Sequence, residues 1–299
     1  MKRTEFLKKT VAVVSMAVGM MLMTNTFISD VYADTRYLWR TNQVAHTYDI
    51  NQDQYYAILS ALGEAASRGC TLESHQWVDT GVVCGDFAEG TTVCYAFTRL
   101  YMGDRSFKIR WNNPDLLMGD YAMQYSNLPK GHIFVTWPEN AEPEVSLAHQ
   151  NASMEVVRQI VGDAPRDEIQ KLKYYNDELS RRISYDDEGY QRGEGKQEPF
   201  YGLLEGSCVC SGYADSFLNL CWFSGIDCVS ADCITGYSED GTADHRLNAV
   251  MVSGLWKKID VTWNDQETWI SYDYFLKDMD EGWQKHLSEP HAELKVETV

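Results

Sequence analysis

Three side chains in the second half of the chain have the types and the order of a thiol acyl-transfer site. Cys210 lies in Gly-Ser-Cys-Val-Cys-Ser-Gly-Tyr-Ala (206–214), His245 opens His-Arg-Leu-Asn (245–248), and Asp260 lies in Ile-Asp-Val-Thr-Trp (259–263). A cysteine is nucleophilic as its thiolate, which a helix N-terminus and an adjacent imidazolium both favour. The imidazole needs a further group to fix its tautomer. Nucleophile, base and orienter in that order predict chemistry at Cys210, His245 and Asp260. Taken singly, each has a plainer explanation: a packed core cysteine, a satisfied polar histidine, a strand-end carboxylate. Their combination raises the catalytic reading above these.

The elements around them must bring the three together. Ser211-Gly212 is a small, permissive stretch where a loop turns into a helix through Phe223, with Ala214, Phe217, Leu218 and Cys221 on its buried face. Cys210 then sits at the positive end of that helix. Cys228 to Tyr237, His245 to Val252 and Leu255 to Trp263 read as strands, the last two joined by a turn at Ser253-Gly254. An even loop sets His245 opposite Thr262 and Leu247 opposite Asp260. His245 and Asp260 are then diagonal neighbours on one face, about 7–8 Å apart at the backbone. An odd loop would turn one of them to the other face.

Upstream the signals are mixed. Asp53 is placed to cap a helix running to about Arg68, and Val78 to Cys84 and Thr91 to Tyr101 read as strands joined by a turn at 85–90. A Cys84–Cys94 bridge across those strands and two buried free thiols are both open. Residues 138–143, with a proline at each end, read as a linker or exposed loop, and Pro165 suits the first turn of a helix with Ile169, Leu172, Leu179 and Ile183 on one face. Asp186 to Glu198 reads as an exposed loop leading to the cysteine motif.

Lys2, Arg3, Lys8 and Lys9 followed by the apolar run Val11 to Met23 and by Val31-Tyr32-Ala33 have the layout of a signal peptide. Export, to the medium or the cell surface, is the expected destination, with no membrane span left after cleavage. The formal charge of the whole chain is −18. Such a polyanion is repelled by nucleic acid and anionic lipid, so neither is expected as a partner. Eight cysteines in an exported chain permit disulfides, and one free catalytic thiol leaves an odd number to pair. There is no Cys-x-x-Cys, and the pair His286 and His291 lacks cysteine companions, so no zinc site is expected.

Phe200 to Asp265 resembles the bacterial transglutaminase-like superfamily. The matching segments are Tyr201-Gly202-Leu203-Leu204, Val209-Cys210-Ser211-Gly212-Tyr213-Ala214, Gly225-Ile226, His245-Arg246-Leu247-Asn248, Gly254-Leu255-Trp256 and Ile259-Asp260-Val261-Thr262-Trp263. The likeness extends more weakly over about residues 152–290. It implies an α+β, papain-like fold: a helix bearing the cysteine, packed on a small antiparallel sheet that carries the histidine and aspartate. Residues 1–33 are then a signal peptide, 34–149 an N-terminal mixed α/β region, and 150–299 the transglutaminase-like catalytic domain.

Carried over by position, Cys210 is the nucleophile, His245 the general base and Asp260 the orienter; the family's spacing favours Cys210 over Cys208. The resemblance implies a secreted thiol enzyme acting on amide bonds of a protein or peptide through a cysteine acyl-enzyme, as a peptidase or amidase. The alternatives are a protein-glutamine acyltransferase that cross-links proteins, and a noncatalytic binding module in which Cys210 is locked in a disulfide. Arg246-Leu247 stands where the family has Ala-Trp, and Lys257 where an aromatic often follows the tryptophan. Both departures are expected to alter the substrate groove. Eukaryotic transglutaminases use calcium, but no Asp-rich loop of EF-hand type is present, so neither metal nor cofactor is expected.

Overall fold

The chain forms helices packed against small antiparallel sheets, the α+β arrangement expected from the sequence. A computed structural model describes residues 44–69, 76–113, 128–233, 245–266 and 268–279. The expected signal peptide and its cleavage site, Cys70, and the His286/His291 pair lie outside the described residues. Among those described, no helix is long and apolar enough to cross a membrane.

The first part runs β1 (Val44–His46), α1 (Gln52–Arg68), β2 (Val78–Val83), α2 (Phe87–Leu100), β3 (Lys108–Trp111) and β4 (His132–Thr136). β2, β4 and β3 form an antiparallel sheet in that order. Helix α1 starts one residue before Asp53. Its cap is Asn51, whose side chain accepts from Gln54 N while the Gln54 side chain accepts from Asn51 N.

The segment Thr91 to Tyr101, expected as a strand, is instead most of α2. Asp86 caps it by accepting from Glu89 N at 2.9 Å, and Val93, Ala96, Phe97 and Leu100 are buried at helical spacing. The β-branched and aromatic residues that suggested a strand are here the apolar stripe of a helix.

The second part begins with α3 (Pro143–Asp163), which spans the 149/150 position at which the sequence places a division, and α4 (Glu168–Arg182), capped by Asp167. β5 (Ser184–Tyr185) follows. The expected loop 186–198 contains a short helix, α5 (Asp187–Arg192), capped by Asp186. Next come α6 (Pro199–Glu205), β6 (Ser207–Cys208), paired parallel to β5, and α7 (Cys210–Ser224).

The strands β7 (Cys228–Cys233), β8 (His245–Val252) and β9 (Leu255–Ile259) lead to α8 (Val261–Asn264), the hairpin of β10 (Asp265–Gln266) with β11 (Trp269–Ile270), and β12 (Lys277–Asp278). The five-stranded antiparallel sheet has the order β1-β7-β8-β9-β12, so the N-terminal strand forms one of its edges. One apolar core runs from Ala45 through α1 and α2 to α7, Ile259 and Val261, crossing the 149/150 position.

Candidate active site

Cys210 is the first residue of α7. Val209 before it is extended and supplies no side-chain cap; its N–H donates to the Lys196 carbonyl at 2.9 Å. The helix from 210 to 222 is buried on every side, as its mean apolarity requires, and Gly225 ends it with a left-handed φ of 67°. Gly212 is fixed by contact. A Cβ there would lie 2.5 Å from Cys208 Sγ, so the cysteine two residues earlier packs into the space that the glycine leaves.

This separates the two thiols. Cys208 is fully buried, and burial, then the neighbouring Cys210, pushes its pKa well above the usual thiol value. Cys210 is the one close enough to His245 to raise the pKa of its ring. Neither Cys208 nor Cys210 is in a disulfide.

The hairpin has the expected register. Ser253 and Gly254 both have positive φ, 53° and 81°, as a two-residue turn matched to strand twist requires. The ladder pairs Val252 with Leu255 and continues to Asn248 with Ile259. Beyond that point the strand expected to reach Trp263 stops. Asp260 leaves the sheet and becomes the N-cap of α8, its Oδ1 accepting from Trp263 N at 3.1 Å. The turn into a helix lets one carboxylate serve two partners: Oδ2 lies 2.7 Å from His245 Nε2. That leaves Nδ1 as the ring nitrogen for the Cys210 sulfur.

A fourth residue was missed as a contributor. Trp263 stacks on the His245 ring, with centroids 4.9 Å apart and planes 16° from parallel, and Tyr274 meets it edge-on at 5.0 Å. The sequence did contain a signal for it. In Asp-Val-Thr-Trp an N-cap aspartate brings the residue three positions on back beside the cap's own partner.

His245 is thus held by a carboxylate, an indole and a thiol, with Cys210 and His245 each 8 % exposed and Asp260 1 %. Burial alone would lower the pKa of the ring. The charge and hydrogen bond of Asp260, then those of Cys210, outweigh it and push the pKa up to about 10. The ring therefore holds its proton more tightly than a free imidazole does.

The backbone that carries Asp260 is itself tied down. Asp260 N donates to Tyr274 O at 3.0 Å, Asn264 Nδ2 donates to Asn176 Oδ1 on α4 at 2.9 Å, and the Tyr272 hydroxyl lies 3.0 Å from Asp177 Oδ1. On α7, the Tyr213 hydroxyl is 2.5 Å from Asp265 Oδ2 and 2.9 Å from the Ile183 carbonyl. Arg246 turns inward to Asp215 on α7 and to Asp232 on β7. Lys257 pairs with Asp278 on the neighbouring strand β12.

Among known proteins, no family model matches the chain. It is 32 % identical over 93 residues to the kyphoscoliosis peptidase of Mus musculus, covering 28 % of this chain and 14 % of that protein. To the kyphoscoliosis peptidase of Homo sapiens it is 36 % identical over 61 residues, covering 18 % of this chain and 9 % of that protein. The chain therefore spans only a small part of the curated relatives that it matches. Similar solved structures include a TGase, with a TM-score of 0.33 and 14 % identity over 48 % of this chain and 44 % of that one. A candidate cysteine protease from Cytophaga hutchinsonii has a TM-score of 0.30 and 13 % identity, over 44 % of this chain and 51 % of that one.

Proposed function

We propose that the chain is an exported thiol enzyme that acts on amide bonds through an acyl-enzyme at Cys210. The observation that carries this reading is the placement of one histidine between a helix-N-terminal thiol and a buried carboxylate. The Cys210 thiolate, formed by proton transfer to Nδ1 of His245, attacks the amide carbonyl carbon. The negative charge that develops on the carbonyl oxygen is received by the Cys210 backbone N–H at the start of α7. His245 then gives its Nδ1 proton to the leaving amine, the C–N bond breaks, and a thioester remains on Cys210. Asp260 holds Nε2–H throughout and stabilises the imidazolium, while Trp263 keeps the ring in plane.

Water attacking the thioester gives a peptidase or amidase; a lysine-like amine gives a transferase. Hydrolysis is the preferred reading, and the peptidase name of the relatives supports it. The substrate is a protein or peptide met outside the cytoplasm, consistent with the signal-like residues 1–33.

The test is mass spectrometry of a glutamine-containing peptide incubated with the protein and a primary amine. Peptide cleavage or deamidation that Cys210→Ala abolishes is the expected result. Amine incorporation would make the protein a transferase. Identical spectra for the wild type and Cys210→Ala would leave a binding module and overturn the enzymatic reading.

A further inference from the structure

Between the helix that carries Cys210 and the strand that begins with His245 lies a buried cluster of charges that the chemistry above does not use. Asp215, fully buried on α7, has its Oδ1 2.7 Å from Ser230 Oγ on β7. Its Oδ2 accepts from Arg105 Nη1 at 2.8 Å and Arg246 Nη1 at 3.1 Å, with Arg99 Nη1 at 3.7 Å. Asp232 on β7 accepts from Arg99 Nη2 at 2.8 Å and from Arg246 Nε. Arg99 also meets the Tyr95 hydroxyl, and Glu198 lies within electrostatic range of Arg105 and Asp215.

The placement of Arg246 gives the cluster a role beyond stability. Arg246, next to His245 at the start of β8, turns its guanidinium to Asp215 on α7, one turn past Cys210. Its guanidinium is a rigid fork, with one arm on the cysteine helix and the other on the next strand. A buried carboxylate that loses its cation is strongly unfavourable, so a slide or rotation of α7 against β8 is opposed at Asp215. Asn248 Nδ2, two residues further along the same face, adds a second tie to the Ala214 carbonyl at 3.0 Å.

We propose that Arg246 and Asp215 are positioning residues, a clamp that sets α7 against β8 so that the Cys210 sulfur meets the His245 ring. This rests on the reading of Cys210 and His245 as the reacting pair. It also gives Arg246, where the family pattern has alanine, a purpose inside the fold.

The test uses the full chain and follows the pH dependence of iodoacetamide alkylation at Cys210, located by peptide mass. The variants are Arg246→Ala, Arg246→Lys and Asp215→Asn, with His245→Ala as reference. Val82→Ala, a core change in the sheet of β2, β3 and β4, is the control for general loosening. Arg246→Ala and Asp215→Asn are expected to slow alkylation near pH 6 by about 10- to 100-fold, as an ångström-scale misplacement of a reacting pair does. Arg246→Lys, which keeps the cation and loses the fork, should fall between them and the wild type, and Val82→Ala should match the wild type.

Because Arg246→Lys retains the buried charge, it keeps the test readable if the other two variants do not fold. A profile for the folded Arg246 variants that overlays Val82→Ala, while His245→Ala differs, overturns the clamp and leaves the thiol reading standing. If His245→Ala also leaves the profile unchanged, the reading of the reacting pair fails and the clamp falls with it.

Discussion

Each half of the molecule sets a cysteine near a histidine–aspartate pair, and the two sets differ in burial and in the charges around the sulfur. In the first sheet His132 Nδ1 lies 2.9 Å from Asp79 Oδ2, a separation close to the 2.7 Å between His245 and Asp260. The side chains of the first pair are 28 % and 38 % exposed; those of the second are 7 % and 2 %. The nearby Cys84 follows Val83, the strand partner of His132. Burial, then the carboxylates of Glu89 and Asp86, push its pKa up to about 11. A thiol beside acids is kept protonated, whereas Cys210 lies beside a ring that holds its proton more tightly than a free imidazole does. Residue types and pairwise distance are therefore insufficient; burial of the pair and the sign of the charge next to the sulfur make the difference.

The largest effect that separates the two regions is on turnover. His245→Ala should lower amide hydrolysis by about 10²- to 10⁴-fold, the usual contribution of a positioned acid–base group. His132→Ala should leave it unchanged. A loss of similar size in both variants, measured by peptide cleavage rate, would erase the distinction.

The aspartates should differ next, in stability. Asp260→Asn leaves an imidazolium buried without its counter-charge and should cost about 3 kcal/mol or more. Asp79→Asn removes a partly exposed pair and should cost less than about 1 kcal/mol. Urea unfolding of both variants at pH 7 gives the comparison.

A further difference is a slope with pH. The folded His245 holds its proton up to about 10 against an ordinary value of 6.5, so it binds the proton more tightly in the folded state. Its contribution to stability is complete below pH 6.5 and is lost as pH rises through about 10. The stability difference between the wild type and His245→Ala should narrow over that window. A difference that stays flat from pH 6.5 to 10 and shrinks only below pH 6.5 would mean that the ring is buried neutral.

The hairpin was legible in the sequence because Ser253-Gly254 admits a two-residue turn, and that turn alone fixes which side chains share a face with His245. The cysteine helix was legible from its apolar periodicity and the glycine that follows Cys210. What the sequence hid was decided by core packing and by the partners of individual side chains. The residues Thr91, Thr92, Val93 and Tyr95 carry local strand preference, but an apolar face packing on the core overrode it and made a helix. Asp260 reads as a strand residue until the cap to Trp263 N is seen, and that cap is what brings the indole onto the imidazole. The sequence also gives no sign that Arg246 pairs with Asp215, 31 positions earlier.

The most direct measurement is competitive labelling of the native full chain with limiting iodoacetamide near pH 6, followed by peptide mapping of every cysteine. The account predicts that Cys210 is labelled first and that His245→Ala removes this preference. Label distributed among Cys84, Cys208 and the other thiols as readily as at Cys210, or a Cys210 preference that survives His245→Ala, would contradict it.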